Sequence, residues 1–269
     1  MVKAAPRPRP RILRIIRALK ARDPEKISIE RFVRRASRLI PAGAVVLDAG
    51  AGDAPYRGYF RHVRYITADL AATGYHEFSR LDLICNLSAL PLAGDTFDAV
   101  LCTQVLEHVP DPQQVLAELY RVLRPGGRLF LTVPQSWELH EAPYDYFRFT
   151  RYGLELMFQQ AGFERFEIQP RGGYFYFLAE RIRHLPGYLP GFVEGRGLWR
   201  VPGAHRLMTL LFHHLLPALL MAMDRFDTRK LETLGYACIA VKGCSHGRGP
   251  ILTTHSVQER EGADALGGA

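Results

Sequence analysis

The stretch that most constrains the fold is residues 45–56, VVLDAGAGDAPY. Val45, Val46 and Leu47 form an apolar, partly β-branched run of the kind that makes a strand buried on both faces of a parallel sheet. The run ends in an acid, Asp48, and then meets Gly50 and Gly52. Glycines directly after such a strand let the chain turn tightly and let a ligand approach bare backbone. The stretch therefore predicts a strand, a turn and a helix built around a ligand. Two glycines are a generic signal, so the assignment depends on the rest of the chain.

From residue 57 to residue 169 the pattern alternates between strand and helix. Over the whole chain, strands are predicted at residues 45–47, 65–68, 81–84, 99–102, 128–133, 163–168 and 236–241. Helices are predicted over 28–39, with Ser28 as cap, over 112–123 and over 151–161. The helix 112–123 is the clearest. Asp111 can cap it, Pro112 suits its first turn, and Val115, Leu116, Leu119, Val122 and Leu123 share one face, with Pro125, Gly126 and Gly127 ending it. Thr150 and Gly162 bracket the third helix in the same way. Alternating strands and helices define an α/β protein with a doubly wound sheet.

The alternation fails over residues 170–234, which carry Gly172-Gly173, the aromatics Tyr174 to Phe177, a Pro/Gly-rich run and an apolar stretch, 207–223. That stretch holds a central Pro217 and is short of the roughly 20 residues a membrane span needs. It reads either as a helix pair added to the core or as an interfacial or substrate-covering hairpin. The chain thus divides into a basic arm (1–26), a core (27–169), a helical insertion (170–234), a last core strand (235–244) and a polar, disordered tail (245–269).

Charge narrows the classes of partner. Residues 1–40 hold 13 Lys/Arg against 3 Asp/Glu, so their +10 exceeds the chain's +8 and leaves the remainder at −2. The basicity belongs to the arm, whose RILRIIRALKAR segment has the pattern of a basic amphipathic helix, suited to an anionic membrane surface or to packing on the body. A nearly neutral body disfavours a nucleic-acid groove. The four cysteines form no CxxC pair and no Cys/His ligand spacing. Cys85, Cys102 and Cys238 lie in apolar runs as buried thiols, and no secretory signal is visible. The expectation is a cytoplasmic protein with a peripheral membrane contact.

VVLDAGAGD resembles the glycine-rich first motif of class I S-adenosylmethionine-dependent methyltransferases. TADL, NLSALPLAGDTFDAV, TQVLEHVPDP and RVLRPGG then come at the spacing of the type 11 group of that family, across roughly residues 43–170. The resemblance implies a Rossmann-like sheet of seven strands with the helical insertion before the last strand. It implies S-adenosyl-L-methionine as cofactor, held by Asp48, Gly50, Gly52, Asp69, Asn86, Leu87 and Gln104. Asp69 offers two acceptor oxygens to the paired ribose hydroxyls. Asn86 and Leu87 fall to adenine, with Asn86 standing where many relatives carry Asp. Glu107 and His108 would orient their loop. A dinucleotide fingerprint needs a third glycine where this chain has Pro55, and no acid before the first glycine.

The acceptor side falls to residues 137–150, WELHEAPYDYFRFT, which come after the fifth strand and so lie at the ligand edge of such a sheet. His140, Tyr144 and Asp145 are the catalytic candidates, His140 first, because removal of a hydroxyl proton needs a base that titrates near neutrality. The spacing of His and acids forms no metal motif, and none is expected. The function expected is methyl transfer to a small-molecule, glycan or lipid-linked acceptor, at a hydroxyl. The alternatives are a cofactor-binding protein without catalysis and, further off, a nucleic-acid methyltransferase.

Overall fold

The structure, a computed structural model, describes residues 23–71, 81–189 and 203–244. Most of the basic arm and all of the tail lie outside the described residues, as does part of the Pro/Gly-rich run. Strands β1 (Val45–Ala49), β2 (Arg64–Asp69), β3 (Leu83–Ile84), β4 (Phe97–Thr103), β5 (Leu123–Pro134), β6 (Arg165–Pro170) and β7 (Gly235–Val241) form one sheet in the order β3-β2-β1-β4-β5-β7-β6. Only β7 runs antiparallel to its neighbours. The order reverses direction at β1 and β4, where open α/β sheets bind ligands.

Side chains alternate between the two faces of this sheet, and each face carries its own helices. Ala99 and Leu101 of β4 and Phe130 of β5 meet helix α1 (Pro24–Leu39) through Ile29, Phe32, Val33 and Ala36. Val100 and Cys102 of β4, with Leu129 and Leu131 of β5, meet helices α2 (Pro112–Val122) and α3 (Arg151–Gln160). Leu116, Leu119, Leu154 and Phe158 are fully buried there, each burial being favourable by roughly 1.5–3 kcal/mol. Cys102 and Cys238 are buried thiols as expected, whereas Cys85 is only partly covered.

Four expectations need correction. Helix α1 begins at Pro24, inside the segment assigned to the arm, because Asp23 is its cap and accepts from Lys26 N at 3.0 Å. Ser28 is instead buried, its hydroxyl donating to Glu25 O at 2.8 Å. No α-helix comes after β1: beyond Ala54, at φ 51°, and Pro55, the chain makes one 3-10 turn, Arg57–Tyr59, and enters β2. A left-handed residue before a proline is a poor helix start. The RPGG segment does not end α2 as a separate loop. It forms an irregularity within β5, which pairs with β4 first at Leu123 and again from Arg128.

The insertion contains helix α4 (Tyr174–His184) and a continuous helix α5 (Ala204–Phe226) of 23 residues. The apolar stretch is therefore longer as a helix than its sequence limits suggested. Pro217 does not break it, because a π-turn over Leu211–Leu215 precedes it and accommodates the missing N–H. The two helices lie against each other. Asp224, near the end of α5, accepts from Gly173 N at 3.0 Å and Tyr176 N at 3.3 Å and so caps α4. Its charge is matched by Lys230 Nζ at 2.5 Å. Much of α5 stays uncovered, with Leu207, Leu215, Leu219 and Phe226 all exposed.

The insertion is joined to the core by Arg171, which is 3% exposed. Its guanidinium pairs with Glu25 of α1 at 2.7 Å and donates to Ser28 Oγ at 3.0 Å, while its backbone N–H donates to Gly235 O at 2.7 Å. Gly235 cannot carry a side chain, since a Cβ there would lie 2.1 Å from Val133 O.

Candidate active site

A cavity of about 800 Å³ opens at the carboxyl ends of β1, β2 and β4 and under the loop after β5. Gly50, Gly52, Asp69, Asn86, Leu87, Gln104, His140 and Tyr144 line it, so most residues singled out from the sequence converge there. Asp48 and Asp145 do not line it; each stands behind a residue that does.

One wall is mostly backbone. Gly50 N and Ala51 N both donate to Ala68 O, at 2.8 and 3.1 Å, folding the turn against β2. Gly50 is at φ 81°, and a Cβ there would meet Val105 Cγ2 at 2.2 Å. The glycine is thus required by packing inside the protein as well as by the turn. Asp69 ties the wall together: Oδ2 accepts from Gly52 N at 2.9 Å and Oδ1 from Ala71 N at 3.0 Å. Each carboxylate oxygen accepts more than one bond, so both keep capacity for a ligand.

Asp48 lies beneath this turn, 1% exposed. Its Oδ2 accepts from Tyr65 Oη at 2.5 Å, and its Oδ1 has no partner. Burial outweighs that hydrogen bond and pushes its carboxyl up to about 7. The same burial, with the Asp48 charge beside it, raises the Tyr65 phenol strongly. Asn86 caps the short turn Leu87–Ala89, its Oδ1 accepting from Ser88 N at 2.9 Å.

The other wall is made of side chains braced from behind. The loop 137–150 is stitched to the main chain of residue 107, where Tyr146 N and Phe147 N donate to Glu107 O at 2.8 and 3.3 Å. His108 Nδ1 lies 2.7 Å from Tyr144 O. A carbonyl only accepts, so Nδ1 carries a proton, and in the neutral ring Nε2 keeps the lone pair. His140 Nδ1 sits 3.1 Å from Glu138 O and 3.3 Å from Asp145 Oδ2, which fixes the same tautomer. The two imidazole rings meet edge to face, 4.7 Å apart.

Asp145 also accepts from His140 N at 3.0 Å and from both terminal nitrogens of Arg148, at 2.6 and 2.8 Å. Arg148 holds its carboxyl far below the usual range. Asp145 is therefore a clamp that sets His140, not a base reaching into the cavity. Tyr144 is 44% exposed at the rim.

Three contributors were not assigned these roles from the sequence. Glu107, wholly buried, has its carboxyl pushed up to about 8, chiefly by burial. Gln104, in the left-handed region at φ 53°, accepts from Thr132 Oγ1 at 3.1 Å and from Arg171 at 3.3 Å and donates to Glu107 Oε1 at 3.2 Å in the amide orientation that satisfies both ends. Arg171 thus reaches from the insertion to the floor of the cavity. A residue with positive φ and no glycine's freedom is a mark of a functional position, but φ is not legible in sequence.

A family model described as a methyltransferase domain matches residues 47–131. A ubiquinone biosynthesis O-methyltransferase of Xanthomonas oryzae pv. oryzae is 54% identical over 109 residues, 36% of this chain and 45% of that protein. The ubiquinone/menaquinone biosynthesis C-methyltransferase UbiE of Desulfotalea psychrophila is 43% identical over 77 residues, 28% and 30% of the two chains. A solved phosphoethanolamine N-methyltransferase 2 of Haemonchus contortus has a TM-score of 0.49 and 16% identity, covering 80% of this chain and 52% of that one. The chain spans less than half the length of the curated relatives named here.

Strand order, turn and family model together define a class I S-adenosylmethionine-dependent methyltransferase domain. More narrowly, residues 47–131 are similar to the type 11 group of that family, whose model matches there.

The cavity fits the cofactor that this family uses. Asp69 has free acceptor capacity for a diol, the turn at Gly50 and Gly52 is bare, and Leu70 and Leu87 supply apolar surface. The volume suits a nucleoside-sized ligand with space beside it. Asp69, Gly52, Asn86 and Leu87 would hold S-adenosylmethionine, with Gln104 at its reactive end.

Proposed function

We propose that this protein transfers a methyl group from S-adenosylmethionine to a hydroxyl of a small, largely apolar molecule. The observation that carries this reading is the pair of imidazoles, His108 and His140, whose proton-bearing nitrogens are both held from behind. Their Nε2 lone pairs are left to meet an acceptor O–H. The cofactor supplies an electrophilic methyl on a positive sulfur, so the protein's task is alignment and exclusion of water. Loop 137–150 covers the cavity. His140 is held by Asp145 and Glu138, His108 by Tyr144, and Tyr56, Tyr144 and Tyr146 give the wall an aromatic lining. The O-methyltransferase named above, a relative over the domain, supports an oxygen acceptor of this class.

The test is an assay with isotopically labelled S-adenosylmethionine against catechols, other phenols, sugar alcohols and amines. Labelled ethers from the phenolic set are expected. Transfer to amines alone would overturn the oxygen assignment, and cofactor binding without turnover would favour a non-catalytic protein.

We also propose that α5 rests on a membrane surface, in keeping with an apolar acceptor. Its most apolar 18-residue window has a mean hydropathy of 1.5 yet only 11% of it is buried in the protein. Helix α5 packs on α4, and α4 meets loop 137–150: Trp137 and His184 lie edge to face at 5.7 Å, and His184 Nδ1 lies 3.2 Å from Glu138. Co-sedimentation with anionic vesicles, reduced by Leu215→Gln with Leu219→Gln, is the expected result. Equal sedimentation of that variant would remove α5 from the contact.

A further inference from the structure

The geometry points to a divalent metal site formed by Glu107, His108 and His140 on the acceptor side of the cavity. The ligating atoms of these residues all lie within 4.8 Å of one another. Around an ion with bonds of about 2.1 Å, donor pairs stand about 3–4.2 Å apart, so small side-chain adjustments close the site. Two ligands come from the short turn Leu106–His108 after β4 and the third from the loop after β5.

The donors are prepared as ligands. Both imidazoles have Nδ1–H engaged, by Tyr144 O for His108 and by Glu138 O and Asp145 for His140. This leaves Nε2 of each neutral ring to coordinate, so with the ion bound these lone pairs go to the metal rather than to an acceptor O–H, and the carboxylate behind His140 is the usual outer support of a metal-bound histidine. Glu107 is fully buried, with Oε2 lacking any partner and Oε1 oriented by Gln104. A buried carboxyl with an unpartnered oxygen, near two imidazoles, gains a partner when a cation sits among them.

Two imidazoles and one carboxylate suit a first-row ion such as Zn²⁺, Mn²⁺ or Co²⁺ better than the all-oxygen preference of Mg²⁺ or Ca²⁺. Three protein ligands leave positions open, and His108 and His140 both face the cavity. The substrate class that uses such positions is an acceptor with adjacent oxygens, a catechol or a hydroxyl next to a carbonyl. This last step rests on the hydroxyl reading proposed above. The acceptor O–H pair then remains on oxygen as its proton leaves to solvent. The C–O bond forms as the C–S bond of S-adenosylmethionine breaks, and the sulfur departs as a neutral thioether.

The experiment is titration of the metal-free full chain with Co²⁺, monitored by visible absorption and by competition with Zn²⁺. A single protein-bound Co²⁺ spectrum is expected. His108→Ala and His140→Ala should each weaken binding at least about 100-fold, and Asp145→Asn, which stands behind His140 and does not itself touch the ion, about 10-fold. His213→Ala with His214→Ala, on α5, should leave the spectrum unchanged. Since His140→Ala could loosen the loop, Glu107→Gln serves as a near-isosteric second variant and should change the spectrum without lowering the Tm. A spectrum that matches free Co²⁺, survives His108→Ala with His140→Ala, or disappears with the α5 pair overturns the site. Co²⁺ binding without methyl transfer to any acceptor keeps the site and removes the enzyme reading. Full methyl transfer after chelation keeps the enzyme reading and overturns the metal's role in holding the acceptor.

Discussion

The two walls of the cavity are built on different plans. The cofactor wall is backbone: a turn after β1, the tip of β2 and one carboxylate that gathers Gly52 and Ala71. The acceptor wall is side chains, each held by a further side chain or carbonyl, running from Arg148 through Asp145 to His140. A backbone wall tolerates little change in sequence, because its shape is set by φ angles and close approaches. A side-chain wall can be re-cut by substitution without disturbing the sheet. On the function proposed above, the contrast assigns specificity: the cofactor to the fold, and the acceptor to what has been mounted on it.

The sharpest way to break that contrast is Asp69→Ala. It removes an acceptor of two charge-assisted bonds and releases two main-chain N–H groups, so cofactor affinity should fall at least about 100-fold, as isothermal calorimetry would show. His140→Ala should do the reverse. Turnover is expected to drop about 100-fold or more while the cofactor's Kd stays within about 3-fold, and an equal loss in both would merge the two walls into one.

Gly50→Ala tests the backbone plan without touching a polar group. The added methyl meets Val105 at a positive φ, and a loss of about 2–4 kcal/mol is expected in denaturant unfolding. Gly50→Ala with Val105→Ala should recover the steric part and leave the smaller strain of the turn.

The smallest effect concerns Asp48. Its folded-state value of about 7 lies above the ordinary 3.8, so the native state holds a proton that the unfolded chain releases. That contribution is complete below about pH 4 and disappears as pH rises through about 7. Asp48→Asn lacks this loss. Its Tm, measured without cofactor, should gain on the parent between pH 5 and pH 8.5 by a few degrees. A constant gap would mean that the carboxyl is not protonated in the fold.

Much of this was legible in the sequence, for reasons that differ by region. The strands and α2 were readable because period, cap and stop signals are local: Asp111, Pro112 and the apolar face of α2 all lie within a single short stretch. The cofactor wall was readable for the same reason, since its motif and its structure nearly coincide. The missing helix after β1 was not, because Ala54 carries no sign that it adopts a positive φ. The start of α1 was misplaced because Ser28 and Asp23 are both good caps, and tertiary burial beside Arg171 decided between them. The meeting of Glu107 and His108 with His140 depends on β4 and β5 lying side by side, and no spacing rule reaches that far along the chain.

The cap that Asp224 supplies to α4 has a consequence for how the molecule comes apart. Because a carboxylate at the end of one helix satisfies the first N–H groups of another, and Arg171 binds that pair to α1 and β7, the insertion is not a separable module. Amide exchange in α4 should therefore track exchange in the central strands, the two regions opening together as one cooperative unit.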